Sequence, residues 1–109
     1  MKNYLNNQEA KNNTAILVGL IDQEHKEEQI NEFLDELAFL AETAGISTIK
    51  RFTQKLPHPE PGTFLGKGKL DEIKEFVLAK NIGVVIFDDE LTGTQLNNIG
   101  KIVETKVID

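Results

Sequence analysis

No cysteine occurs among the 109 residues, which excludes a disulfide framework, an iron–sulfur cluster and a Cys-ligated zinc site, and fits a reducing compartment. Bases are in deficit: 12 Lys and Arg stand against 18 Asp and Glu, a formal charge of −6. That balance argues against wholesale coating of nucleic acid and leaves room only for a local basic site. Long apolar runs are missing too. The longest, Ala15 to Ile21, is broken by Gly19 and falls far short of the roughly 20 residues a membrane span requires. The opening MKNYLNNQEAKNN has five Asn and no apolar segment, so it is neither a secretory signal nor an Arg-rich transit peptide. Residues 1–13 read as a flexible N-terminal segment, and the cytoplasm is the expected location. The chain has no G-x-x-x-x-G-K-[ST] phosphate loop and no Asn-Lys-x-Asp, and its three prolines all fall at Pro57, Pro59 and Pro61. Its length suits one domain.

What is present alternates strand with helix. The apolar run Ala15 to Ile21 reads as a strand buried on both faces. Asp22 is placed to cap a following helix whose apolar positions Ile30, Phe33, Leu34, Leu37, Ala38 and Ala41 recur every three or four residues, with Gly45 as its left-handed stop. Ile46 to Gln54 is β-branched but carries Lys50 and Arg51, as an edge strand with a wet side would. After the proline loop, Leu70, Ile73, Phe76 and Val77 predict a second helix with Asp71 and Glu72 in its first turn, ending near Asn81. Gly83 to Phe87 is another fully apolar strand. Thr92 and Gln95 have the spacing of a capping box, opening a third helix, and Lys106 to Ile108 starts a short fourth strand. This alternation predicts a three-layer βαβαβαβ domain over residues 14–109. Its four-stranded parallel sheet would run in the order 2-1-3-4, a flavodoxin-like half, with the apolar first and third strands inside. One helix on one face and two on the other leave strands three and four short of a cover beside the first helix.

Two sets of residues are candidates for function. Phe64, Gly66, Lys67, Gly68 and Lys69 form a glycine-flanked turn running into a helix, where backbone N–H groups and two ammonium groups can meet a phosphate. The same residues also read as a turn with solvated lysines. From Lys50 to Leu70 the chain has five bases (Lys50, Arg51, Lys55, Lys67, Lys69) and one acid, Glu60, whereas from Asp22 to Glu42 it has eight acids and one base, Lys26. A basic loop with Phe52 and Phe64 nearby suits RNA phosphates and a stacked base, although both rings also read as core. The second set is Asp22, Asp88, Asp89 and Glu90. These acids end the first and third strands and flank the switch point of a 2-1-3-4 sheet, where they would hold Mg2+ with a nucleotide or another small ligand, or else serve the helix that follows. His25 and His58 lie far apart and suggest neither a metal site nor a triad, and no catalytic residue or metal ligand set is assigned.

Three stretches, TAILVGL, PHPEPGTFLGKGKLDEI and VVIFDDELTGTQLNNI, resemble in order the N-terminal domain of the HflX family of ribosome-associated GTPases. The resemblance implies a parent that continues through a helical subdomain into a G domain, where GTP and Mg2+ would bind and GTP would be hydrolysed. It implies no cofactor and no catalysis for these 109 residues themselves. It further implies that the parent binds the large ribosomal subunit and splits or rescues stalled ribosomes, this domain contributing rRNA contacts. On that reading Lys55, Phe64, Gly66, Lys67, Gly68 and Lys69 are the rRNA-contacting residues, with Lys50 and Arg51 as a secondary basic patch. An aromatic residue, usually Tyr, precedes this turn in the family; Phe64 keeps the ring and lacks the hydroxyl.

Overall fold

A computed structural model describes residues 13–109; most of the expected N-terminal segment, residues 1–12, lies outside the described residues. The order is β1 (Thr14–Ile21), α1 (Glu27–Thr43), β2 (Ser47–Lys55), α2 (Lys67–Lys80), β3 (Val84–Phe87), α3 (Gly93–Val103) and β4 (Lys106–Ile108). All strand pairs are parallel and the sheet order is β2-β1-β3-β4, as the apolar patterning predicts. β1 pairs on both sides, with Val18 opposite Phe52 of β2 and Phe87 of β3, and every residue from Ala15 to Ile21 is buried. A strand paired on both edges and covered on both faces needs apolar side chains in both directions, which this run supplies.

Alternation along the strands divides the core. Ile16, Val18, Leu20, Phe52, Val85 and Phe87 face the layer made by α2 and α3, where Leu70, Ile73, Val77, Ile99 and Val103 complete the larger cluster. Ala15, Leu17, Ile21, Val84 and Ile86 face α1 and meet Ile30, Leu34 and Ala38. The uncovered face expected beside α1 is smaller than the topology suggests. Val84 and Ile86 are each 6% exposed, with Phe33, Leu37 and Ile46 packed against their cluster, and on strands β3 and β4 Ile108 alone among the described residues presents an open apolar side chain there.

α1 approaches β1 over Gly19. A Cβ built on Gly19 would lie 2.7 Å from Ile30 Cγ2 and 3.4 Å from Leu34 Cδ1. Gly19→Val is therefore expected to push α1 off the sheet and destabilise the domain by about 1–3 kcal/mol, the usual cost of overpacking. Urea denaturation would measure it, and an unchanged midpoint would show that α1 can shift freely.

Candidate functional site

Because every strand runs the same way, Asp22, Lys55, Asp88 and Asp89 all emerge at the carboxyl edge of the sheet, where α2 and α3 also begin. The proline-rich segment between β2 and α2 is a built hook at that edge. Leu56 N–H donates to the Ile21 carbonyl (3.0 Å), and Glu60 and Phe64 exchange a pair of backbone hydrogen bonds (3.0 and 2.8 Å). α3 clamps the hook from the other side: Gln95 Nε2 donates to the Glu60 carbonyl (3.0 Å) and Asn98 Nδ2 to the Gly62 carbonyl (2.9 Å). Gln95 also completes the expected capping box with Thr92. Phe64 adopts φ 66°, a left-handed conformation costly for a non-glycine residue, and its ring is buried edge-on against Phe87 at 5.7 Å. That ring is core, as is Phe52, so neither offers a face to a base in this conformation.

The hook delivers the chain into α2 one turn earlier than the acid pattern predicts. The helix starts at Lys67, which puts Lys67, Gly68 and Lys69 in its first turn and no acid there. Leu70 N–H makes the first helical bond, to the Gly66 carbonyl (3.1 Å), so the N–H groups of residues 67 to 69 lead the helix without intrahelical acceptors. Gly66, the cap, has no capping side chain, and its own N–H donates to Gln54 Oε1 (2.9 Å). Gly66 is thus committed to the scaffold. Gly68 has open space where a Cβ would project. Lys67 is exposed, while Lys69 pairs with Glu72 at 3.0 Å.

The remaining bases do not join this turn. Lys50 and Arg51 alternate to opposite faces of β2. Lys50 Nζ lies 5.4 Å from the ring centres of Phe52 and Phe76, and Arg51 Nη1 is 2.6 Å from Asp35 of α1. A bulge explains the phasing: Ala15 pairs with Thr48 and Ile16 with Lys50, which leaves Ile49 without a partner. Lys55 lines a mostly apolar cleft of about 330 Å3 with Asp22, Gln23, Leu56 and Pro57 at the ends of β1 and β2.

Asp22 does not cap α1, whose cap is Lys26 without a side-chain bond. Its Oδ1 accepts instead from the N–H groups of Glu24 (2.9 Å) and His25 (2.8 Å) and lies 3.2 Å from His25 Nδ1. The intervening residues turn back, so the carboxylate meets the nearest amides. Burial pushes Asp22 upward, but these bonds and the His25 charge outweigh it and hold the carboxyl below its usual range. Asp88 and Asp89 are raised, in both cases chiefly by burial. For Asp88 the His25 charge opposes and Glu36 reinforces the shift; for Asp89 the neighbouring Asp88 reinforces it. His25, which the sequence leaves without a partner, is held against Asp22 at this edge. The Asp-x-x-His spacing of a side-chain-closed turn was its signal. Glu90 is exposed, and among the described residues no three acidic or histidine side chains group closely enough to hold a metal ion.

A carboxyl kept neutral more easily in the fold than in the unfolded chain weakens the fold once ionised. Stability from this source rises as pH falls through the raised folded value of Asp89 towards 3.8. Asp89→Asn is expected to raise the melting temperature at pH 7, the gain fading as pH drops through that window. A parallel loss at every pH would show that the carboxylate is itself a structural acceptor.

These features define a doubly wound, parallel α/β domain whose polar loops converge on one edge. The chain belongs to the family described as GTP-binding GTPase N-terminal, which matches residues 31–109. It is 50% identical over 95 residues to GTPase HflX of Flavobacterium psychrophilum, covering 87% of this chain and 23% of that protein. It is 41% identical to GTPase HflX of Caldanaerobacter subterraneus subsp. tengcongensis (87% and 21% covered) and 35% to that of Escherichia coli K12 (87% and 22%). The chain thus spans about a fifth of the length of these curated relatives. A solved structure, the SsGBP mutation variant G235S, superposes with a TM-score of 0.61 at 21% identity over 87% of this chain and 28% of that one, which supports the fold. Among the described residues no helix is long and apolar enough to cross a membrane.

Proposed function

We propose that residues 14–109 form the N-terminal ribosome-binding domain of an HflX-type GTPase, and that the start of α2 grips rRNA phosphates of the large subunit. The observation that carries this reading is the first turn of α2. Three N–H groups without intrahelical acceptors, an open glycine and two lysines stand together at the positive end of a helix dipole, on a hook fixed from both sides. In this role the lysines neutralise phosphates, Gly68 lets the backbone approach, and Phe64 and Gly66 hold the turn in place. Contacts of this kind position a protein on RNA without reading sequence. GTP binding and hydrolysis with Mg2+ belong, on this proposal, to a G domain elsewhere in the parent, joined through a helical subdomain, and couple ribosome binding to splitting or rescue in the cytoplasm. The 109 residues contain neither of the two nucleotide-binding motifs that such a G domain requires.

Co-sedimentation of the chain with purified large ribosomal subunits at low and moderate salt tests the proposal. Binding that weakens linearly in log salt is expected, since each neutralised phosphate releases counterions. Salt-independent binding, or none at low salt, would overturn it.

A further inference from the structure

A separate surface lies on the other face of the sheet from α2. α1 has six acids and no base from Glu27 to Thr43, and no base in its last turn, where the negative end of the helix dipole would favour one. Glu28, Glu32, Asp35, Phe39 and Glu42 recur at intervals of four and three, so they share one face of the helix, which the burial of Ile30, Leu34, Ala38 and Ala41 turns away from the sheet. Asp35 is satisfied by Arg51, while Glu28, Glu32, Glu36 and Glu42 are exposed and make no ion pair among the described residues. Within that stripe Phe39 is 69% exposed and its neighbour Leu40 57%. A lone exposed apolar residue such as Leu78 on α2 is ordinary. Two adjacent large ones flanked within a turn by the unpaired carboxylates of Glu36 and Glu42, with Glu32 and Glu28 further along the helix, are not what solubility alone selects, because each could be polar at no cost to the core.

We infer that the outer face of α1 docks a Lys/Arg-rich protein segment that presents an apolar side chain to Phe39 and Leu40. Charge decides the occupant. The carboxylates repel RNA and anionic lipid, whereas ammonium and guanidinium groups reach Glu28, Glu32, Glu36 and Glu42 on either side of the ring. The aromatic supplies the anchor and the acids the orientation, the usual division between the centre and rim of an interface. With the α2 turn on the opposite side of the sheet, the domain offers one face to phosphate and the other to a basic protein.

The test titrates the isotope-labelled chain with three probes and follows its backbone amide resonances. The probes are an 18-residue amphipathic peptide of Lys, Arg and Leu, the same peptide with Glu for every base, and a 15-nucleotide RNA. The cationic peptide is expected to shift resonances along α1 from Glu28 to Glu42 saturably, and the acidic peptide and the RNA to leave them unmoved. Phe39→Ser/Leu40→Ser should weaken the peptide at least tenfold, and Glu32→Lys/Glu36→Lys should abolish binding. Both variants change exposed positions only, and their melting temperatures serve as the control. Equal binding by the serine variant, shifts centred elsewhere, RNA bound on α1, self-association of the chain through Phe39, or no saturation would each overturn the inference.

Discussion

Replacing Phe64 with alanine is expected to destabilise the domain by about 3–5 kcal/mol, a large part of the stability of a domain this size. The ring is 4% exposed and meets Phe87 edge-on at 82°, so its removal opens a cavity between the hook and β3. The glycine variant separates packing from conformation. At φ 66° the backbone of Phe64 costs about 1–2 kcal/mol for any residue with a Cβ, and glycine escapes that cost. Phe64→Gly should therefore be the more stable of the two variants by about 1 kcal/mol, reversing the usual order within regular structure. Urea denaturation of both reads the difference directly. If alanine costs less than about 1 kcal/mol, the ring is not a core residue. If glycine is the worse of the two, the left-handed turn is not retained in solution.

The features legible in the sequence were those set by local pattern. Two fully apolar strands at Ala15 to Ile21 and Val84 to Phe87 could only be interior, which gave the order β2-β1-β3-β4, and Thr92 with Gln95 announced a capping box that the structure forms. The stops at Gly45 and Asn81 also follow from residue type, both being left-handed. What escaped depends on partners distant in sequence. Asp71 and Glu72 suggested a later start for α2, but Gln54, twelve residues before Gly66, takes the cap N–H and lets the helix begin at Lys67. Alternation alone separates Lys50 from Arg51, but the bulge at Ile49 shifts the phase of β2 and so decides which of them faces α2 and which faces α1, and no unbroken period-two reading carries that information. Phe64 reads in the sequence both as a stacking aromatic and as core, and it is the hook's closure onto β3 that decides for core. The grouping of site residues was legible only at the α2 turn, where neighbours in sequence are neighbours in space. Lys55 instead shares a cleft with Asp22 across the β1–β2 pair.

Reversing both lysines, Lys67→Glu with Lys69→Glu, is the experiment in which binding and stability are expected to part. Acids suit the first turn of a helix, so the variant should be as stable as the native chain or gain about 0.3–1 kcal/mol for each substitution. The variant exchanges the Lys69–Glu72 pair, in which Lys69 is part-buried and Glu72 exposed, for a like-charge contact, a loss of at most about 1 kcal/mol that the helix-dipole gain offsets. Ribosome association should nevertheless be lost at moderate salt, because two phosphate contacts are replaced by two repulsions. For the milder Lys67→Ala/Lys69→Ala variant, the slope of log affinity against log salt should flatten by about 1.4 to 1.8. Gly68→Ala completes the set. Its added methyl group meets nothing within 4 Å in the free domain, so any loss of affinity it causes comes from a partner that approaches the backbone closely. Undiminished binding by the reversed variant would clear the α2 turn and leave the hook as scaffold alone, whereas loss of binding with retained stability assigns the contact to a helix start that carries two lysines and no acid in its first turn, Lys67 exposed and Lys69 paired with Glu72 one turn on.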